Sequence, residues 1–390
     1  MRQSLKPAAY ALLILGIGAG VWWAYEARES GRALPGPRVA QGRQEEQHHG
    51  SPQPGPVATA PARVRPAVVA DNLLQRLATS LESGRAEKSR RQLAGLHEAL
   101  RKLPRGEAAR QLLAFLNSGV DAASGLPFAV GRGGWLETAP TMRVAALDWL
   151  GEFDPAAAAD FARQIFAHSN SADEWALALR NYYRQNQTAD AYFVARVGEA
   201  FSREGWLQNP SAGLAESLDF PVAIGGTEGL SLLEGLMQRS PPLRWAALAA
   251  LDAWVLQQRA TAIPLRAGSA ADAGALDAGS RAALLSRADI RDGAQRAAIE
   301  SYLAAAAVPQ AAKAEFLRQF PNQNMILANH LVTTSQPMSL EESARLDAAT
   351  LQFVERSIQA GTYPELGKEL AASRERLAGF VASARRGGKL

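Results

Sequence analysis

An uncharged apolar run near the N-terminus constrains this chain more than any other feature of its sequence. Residues 7–25 read PAAYALLILGIGAGVWWAY and carry no charge. As a helix this run would rise about 28 Å, close to the hydrocarbon thickness of a bilayer. Arg2 and Lys6 precede the run, so the positive-inside tendency predicts a cytoplasmic N-terminus and an extracytoplasmic remainder. Residues 1–26 are therefore predicted to be a cytoplasmic tip followed by a single transmembrane helix.

A cleavable secretory signal peptide is the alternative interpretation of this run. Signal peptidase requires small residues after the apolar core, whereas Trp22, Trp23 and Tyr25 occupy that position here. Such aromatic side chains settle at membrane interfaces, which favours a retained anchor. Gly16 and Gly20 form a GxxxG pair, which predicts homo-oligomerisation through the anchor as a further property.

Residues 27–66 follow the anchor and are rich in Pro, Gly, Gln, Ser and charged residues. A segment without apolar periodicity does not bury enough surface to offset the entropy of ordering, so this segment is predicted to be a disordered tether. His48 and His49 lie within it, but two adjacent histidines supply too few ligands for a metal site.

The amino-acid composition excludes several classes of protein and of site. Of the 390 residues, 47% are hydrophobic, which is normal for a globular protein, and none is cysteine. The absence of cysteine excludes disulfides, cysteine-ligated zinc and a thiol nucleophile. The formal net charge of +4 is small for this length, so no nucleic-acid partner is predicted.

Helical periodicity begins after the tether. Leucines recur at steps of three and four residues over residues 73–81, directly after Asp71, which suits an N-cap. Comparable patterns continue through the C-terminal part of the chain. Within that part, residues 339–342 match a capping box, which predicts the start of a further helix. The predicted fold class is therefore all-α, with the folded part arranged as an array of helices.

Two stretches interrupt the helical pattern. Residues 119–134 are rich in glycine and turn residues. Residues 265–280 read LRAGSAADAGALDAGS, a low-complexity segment that is predicted to be a surface loop or hinge. The predicted helical domain therefore spans residues 67–264, and residues 281–390 form its C-terminal helical continuation.

Two segments of the helical part share a short motif. Residues 141–151 read TMRVAALDWLG and residues 241–251 read PPLRWAALAAL, and they align on Arg143 and Arg244. A weaker third copy begins at Arg296. The motif resembles the first helix of HEAT-type repeats, whose paired helices stack into an α-solenoid with a binding surface. Because the copies are unevenly spaced, the resemblance implies an irregular α-solenoid.

The sequence contains no recognisable catalytic constellation. The nearest match to a nucleophile elbow, around Ser231, has the wrong spacing, and residues 220–229 lack the Gly-Lys-Ser/Thr of a phosphate loop. His97, His168 and His330 have no second ligand four residues away. The chain is therefore predicted not to be an enzyme, and no catalytic, metal or cofactor site is predicted.

Two sets of residues are candidates for binding. Clustered aromatic residues would form a partner-binding face if the helices present them together: Trp135, Trp149, Trp175, Tyr182, Tyr183, Trp206, Trp245 and Trp254. Basic residues would face anionic headgroups or an acidic partner: Arg85, Lys88, Arg90, Arg91, Arg101, Lys102, Arg105 and Arg110. Each set has a structural alternative, because tryptophans fill gaps between alanine-rich helices and basic residues occupy solvated helix faces.

Together these features predict a membrane-anchored scaffold or adaptor that binds a protein partner at the membrane surface. Alanine and arginine richness is typical of GC-rich bacterial genomes, so the predicted location is the bacterial inner membrane with the main domain in the periplasm. One alternative is a membrane-tethered folding chaperone, because the layout is similar to that of lipase-specific foldases. Their Phe-Asp-Tyr motif is absent, and Phe153-Asp154-Pro155 is the nearest sequence. The other alternative is a protein that binds or cleaves peptidoglycan, such as a helical lytic transglycosylase.

Overall fold

The computed structural model of this chain describes residues 66–81, 86–239, 241–268, 276–324, 330–334 and 337–390. These residues are mostly helical, which confirms the all-α class. The predicted anchor at residues 7–25, including Gly16 and Gly20, lies outside the described residues, as does the predicted tether apart from its last residue. Among the described helices, none is both long and apolar enough to span a membrane.

Three helices open the described part: α1 (Pro66–Leu81), α2 (Ala86–Arg101) and α3 (Arg105–Asn117). The first of them begins five residues before Asp71, so Asp71 lies inside the helix and is not its N-cap. Proline suits the first position of a helix because its φ is already helical and its missing N–H is not needed there. Buried leucines such as Leu74, Leu96 and Leu112 attach the three helices to the core.

A short β-hairpin occupies the glycine-rich break between α3 and the next helix. Its strands are β1 (Ala129–Val130) and β2 (Leu136–Thr138), joined by a 3-10 turn at Arg132–Gly134. The strands are antiparallel, with Ala129 opposite Thr138. Gly134 has a φ of 73°, and a Cβ at this position would lie 2.7 Å from the carbonyl oxygen of His330. The turn therefore requires glycine both for its conformation and for the close approach of another segment.

A run of helices follows the hairpin: α4 (Met142–Phe153), α5 (Pro155–His168), α6 (Ala172–Asn186), α7 (Ala191–Ala200), α8 (Glu204–Gln208), α9 (Ala212–Glu216), α10 (Asp219–Ile224) and α11 (Gly226–Arg239). Several begin at a side chain that accepts a hydrogen bond from the helix's first turn: Thr141, Asp154, Ser171, Asp190 and Ser211. Helix α6 lies at the centre of this group, in contact with α4, α5, α7 and α9.

The remaining helices complete the fold: α12 (Arg244–Gln257), α13 (Arg259–Gly268), α14 (Ala278–Leu285), α15 (Gly293–Ala304), α16 (Gln310–Gln319), α17 (Leu340–Gln359) and α18 (Gly367–Arg386). Short 3-10 turns at Pro241–Leu243 and Pro364–Leu366 precede α12 and α18. Helix α13 extends four residues into the segment predicted to be a loop, and α14 begins before that segment ends. Ser339 is confirmed as the N-cap of the predicted capping box, since its side chain accepts a hydrogen bond from the Glu342 backbone N–H.

Helices that follow one another pack as neighbours, for example α5 with α6, α11 with α12, and α17 with α18. The buried residues form one hydrophobic cluster that extends from Leu74 in α1 to Leu377 in α18. Residues 64–390 accordingly form one compact unit, and the segment at 265–280 does not divide the core in two.

The two arginines aligned by the HEAT-like motif have different surroundings. Arg143 in α4 is part of the packing, because its Nε donates to Glu174 at 2.7 Å and its Nη1 donates to the Leu116 carbonyl oxygen at 2.7 Å. Arg244 in α12 is exposed, and its Nη2 lies 3.8 Å from Asp277. Both copies of the motif are thus helical, but their arginines make different contacts. Membership in the HEAT-type repeats stays a prediction.

Candidate functional site

Helix α12 is apolar on nearly every side. Ala247, Leu251, Trp254 and Val255 form its inner face and are buried against α10 and α11. A helix that is hydrophobic all round is normally enclosed by the rest of the protein. Here the opposite face is only partly covered, and Trp245 on that face is 66% exposed. The outer side of α12 is therefore an apolar surface that the described residues cover only in part.

The residues of this outer face recur at helical spacing, and we call them the α12 stripe: Trp245, Leu248, Ala249 and Leu256. Trp245 and Ala249 are exposed, and the two leucines are half-buried. Asp252 lies among them on the same side of the helix. Both of its carboxylate oxygens accept hydrogen bonds from Arg287, at 2.6 and 2.7 Å, so its charge is neutralised within the protein. The stripe is thus an apolar surface interrupted by one paired carboxylate, and exposed apolar surfaces are typical of interaction sites.

An arginine lies at each end of the α12 stripe. Arg244 precedes Trp245, and its 3.8 Å separation from Asp277 is too long for a hydrogen bond. Arg259 follows Leu256 by three residues, at the start of α13. Although α12 ends at Gln257, Arg259 remains close enough to Asp252 of the same side to interact with it electrostatically. The stripe is therefore bounded by positive charge at both ends.

Arg259 forms no ion pair within the described part of the chain. Its Nε is enclosed and has no hydrogen-bond acceptor. Burial lowers the pKa of Arg259. Two nearby acids oppose this effect, but each is already engaged: Asp289 is hydrogen bonded twice to Arg291, and Asp252 twice to Arg287. Arg259 is thus a half-buried cation with electrostatic neighbours and without a hydrogen-bonded counterion.

The eight aromatic residues predicted to form one binding face differ in their burial. Four are buried: Trp149, Trp175, Tyr182 and Trp254. Three are half-buried: Trp135, Tyr183 and Trp206. Trp245 alone among the eight is exposed. The four buried side chains fill space between alanine-rich helices and are not available to a binding face, and a face formed by the other four stays a prediction.

Trp175 and Trp206 illustrate this structural use of tryptophan. Their rings meet edge to face, with centroids 5.6 Å apart. The Arg203 guanidinium lies 4.2 Å from the Trp175 ring centroid and 4.5 Å from that of Trp206. Trp175 also donates from Nε1 to the Ser169 carbonyl oxygen at 3.0 Å. The contacts of these two rings are thus internal to the protein.

The predicted basic patch lies on α2, α3 and the turn between them, with Arg85 outside the described residues. Its other members are exposed: Lys88, Arg90, Arg91, Arg101, Lys102, Arg105 and Arg110. Three of them pair with a glutamate three residues earlier on the same helix: Arg90 with Glu87, Arg101 with Glu98, and Arg110 with Glu107. Such alternation is typical of a solvated helix face, and binding of headgroups or of an acidic partner there stays a prediction.

A buried ion pair joins α4, α6 and the hairpin. Arg180 in α6 is fully buried and donates to Asp148 in α4. Its Nη1 also donates to the Gly134 carbonyl oxygen at 3.0 Å, and its Nη2 to Asn181 Oδ1 at 2.9 Å. Burial raises the pKa of Asp148, while Arg180 and the backbone N–H of Leu136 lower it. This group holds the hairpin onto the helices.

Arg184, one helical turn after Arg180, connects this ion pair to residues 330–334. Its Nη2 donates to the Leu331 carbonyl oxygen at 2.8 Å. Burial, with a further contribution from Arg180, lowers the pKa of Arg184 to about 10. The Trp135 ring centroid lies 4.6 Å from the Arg180 guanidinium and 4.3 Å from that of Arg184. Neither arginine was among the residues predicted from the sequence, although their spacing of four places them on one helix face.

Asp219, the first residue of α10, also holds residues 330–334. Its carboxylate accepts hydrogen bonds from the backbone N–H of Val332 at 2.6 Å and of Thr333 at 2.9 Å. Glu216, at the end of α9, lies close to this carboxylate. Burial and the charge of Asp219 raise the pKa of Glu216 to about 7. The arrangement is a clasp that fixes residues 330–334 and contains a carboxyl group that titrates near neutrality.

His97 makes contacts between two helices. The Nε2 of His97 in α2 lies 2.8 Å from Glu152 in α4, and its ring stacks on Trp149 with centroids 5.3 Å apart. These contacts attach α2 to α4. In the described part of the chain, no group of three or more His, Asp or Glu side chains is arranged to hold a metal ion.

Comparison of the sequence with protein-family models finds no match. Comparisons with curated proteins and with solved structures find no match either. The functional interpretation therefore depends on the surfaces and contacts described above.

Proposed function

We propose that this protein is a membrane-anchored scaffold that binds a partner protein through the α12 stripe. The exposure of Trp245 carries the proposal. Enclosing the exposed part of this side chain in an interface would contribute about 3–4 kcal/mol from apolar area alone. Tryptophan is also among the residues that most often dominate the free energy of binding.

The location of the α12 stripe supports binding over a role in folding. The inner face of α12 already supplies the buried side chains, including Trp254. Trp245 points away from them and contributes little to the core, so its replacement by alanine should change the free energy of unfolding by less than about 0.5 kcal/mol. The membrane anchor rests on the uncharged run at residues 7–25, and the periplasmic location of the scaffold follows from that anchor.

Site-specific photocrosslinking tests the proposal. A benzoylphenylalanine replaces Ala249, an exposed residue of the stripe, in the full-length protein within its native membranes. The matched control carries the same group at Ala94, which is exposed on α2. We expect one defined protein adduct from position 249 that is absent from position 94 and is lost when Trp245 is changed to aspartate. The same weak set of adducts from both positions would refute binding through the stripe.

The anchor is tested separately. Alkaline carbonate extraction should leave the full-length chain in the membrane pellet and release a variant that lacks residues 1–26. Release of both proteins would refute the anchor while leaving the crosslinking result interpretable.

A further inference from the structure

We infer that the partner presents an amphipathic α-helix to the α12 stripe, with a carboxylate that pairs with Arg259. This inference rests on the proposed scaffold function and specifies the chemistry of its partner. Two observations support it: the shape of the stripe and the positive charge of Arg259 at the C-terminal end of the stripe.

The shape of the stripe suits a helix. Trp245, Ala249 and Leu256 follow one straight side of α12, over about 17 Å of helical rise. Packed helices approach to within about 8–10 Å when small side chains lie at the contact, and Ala249 provides such a position between the larger side chains. A helix with apolar residues at spacings of three, four and seven would place them along this line.

The charge at the end of the stripe selects an acidic residue. Arg259 has an enclosed Nε–H without an acceptor, and burial disfavours its charge. The neighbouring acids Asp252 and Asp289 are held by Arg287 and Arg291, each through two hydrogen bonds. A partner carboxylate near Arg259 would supply the missing counterion inside an interface from which water is excluded. Within such an interface, a hydrogen bond that involves a charged group is stronger than a hydrogen bond between two neutral groups.

An anionic lipid surface fits these observations less well than a protein helix. Recognition of anionic headgroups usually involves clusters of about four to eight basic residues. The α12 stripe has two flanking arginines, and one of them, Arg259, is half-buried among packed helices. A single cation in a fixed position favours pairing with one carboxylate in a matching position over binding to a charged lipid surface.

Two designed peptides test the inference. Both are 18-residue amphipathic helices with leucines spaced to match the stripe, and they differ only in one residue that would reach Arg259, which is Glu in the first and Lys in the second. Fluorescence anisotropy measures their binding to the full-length protein in phosphatidylcholine nanodiscs. We expect the Glu peptide to bind at least about tenfold more tightly than the Lys peptide.

Variants assign this preference to Arg259. Arg259→Gln should abolish the preference, and Arg259→Glu should reverse it. Arg374→Gln, at an exposed arginine of α18, should leave the preference unchanged. Trp245→Ala should weaken the binding of both peptides by a similar factor. Arg259→Gln keeps the test decisive if the added negative charge of Arg259→Glu impairs folding.

Three outcomes would overturn the inference: equal binding of the two peptides, no binding of either, or a preference that survives Arg259→Gln. A fourth is an effect of Arg259→Gln seen only when phosphatidylglycerol is added to the nanodiscs, which would assign the surface to lipid. Each of these leaves the photocrosslinking test of the proposed function to stand or fail by itself.

Discussion

Replacing Glu216 by glutamine is expected to change how the stability of this protein depends on pH. Burial and the charge of Asp219 raise the pKa of Glu216 from 4.5 to about 7. The Glu216 carboxyl therefore binds its proton more tightly in the folded state than in the unfolded state. Stability from the protonated carboxyl is fully present below about pH 4.5 and is lost as pH rises through about 7. Glutamine resembles the protonated form at every pH.

The size of the effect follows from the two pKa values. The difference between 4.5 and about 7 corresponds to about 3 kcal/mol in the free energy of unfolding. Glu216→Gln should therefore match the wild type near about pH 4.5 and exceed its stability by about 3 kcal/mol near about pH 8. Other groups titrate in both proteins, so the difference between the two curves isolates Glu216.

Urea unfolding of the full-length protein in detergent, followed by tryptophan fluorescence at several pH values, measures this difference. Glu375→Gln is a matched control, since Glu375 is exposed on α18. Its curve should follow the wild type throughout. Parallel curves for Glu216→Gln and the wild type over the whole pH range would refute the reasoning, because the carboxyl would then titrate alike in the folded and unfolded states.

Two further replacements test the contacts around the hairpin. Gly134→Ala should lower the midpoint of thermal unfolding more than Gly133→Ala: both positions have positive φ, but only the Cβ at Gly134 would collide with the His330 carbonyl oxygen. Equal losses would contradict the close approach of these segments. Asp148→Ala should cost about 3–5 kcal/mol in urea unfolding, because it leaves the fully buried Arg180 without a counterion. Combining Asp148→Leu with Arg180→Met should recover most of that loss, and a fully stable Asp148→Ala protein would show that the pair contributes little.

Much of the secondary structure could be predicted from local sequence. Leucine periodicity over residues 73–81 located α1, and the Ser339 N-cap located the start of α17. These signals are local because a helix places residues three and four positions apart on one face. The hairpin in the glycine-rich break was not predicted, since its strands contain only two and three residues.

The candidate site could be predicted only in part. Trp245 was identified as a candidate, but together with seven other aromatic residues, four of which are buried. Trp245 and Trp254 are nine residues apart, so helical geometry alone places them on opposite faces of α12. An apolar helix gives no periodic contrast from which to tell the inner face from the outer one.

The sequence by itself determined that the described part is helical, that cysteine chemistry is excluded, and which tryptophans lie on opposite sides of α12. Only the tertiary structure decided that Trp254 is the buried one and Trp245 the exposed one. It also decided that Arg259 has no hydrogen-bonded counterion within the described part of the chain, because Arg287 and Arg291, distant from it in sequence, hold the nearby acids. Helical geometry depends on neighbouring residues, whereas burial and charge pairing depend on which distant segments the folded chain brings together.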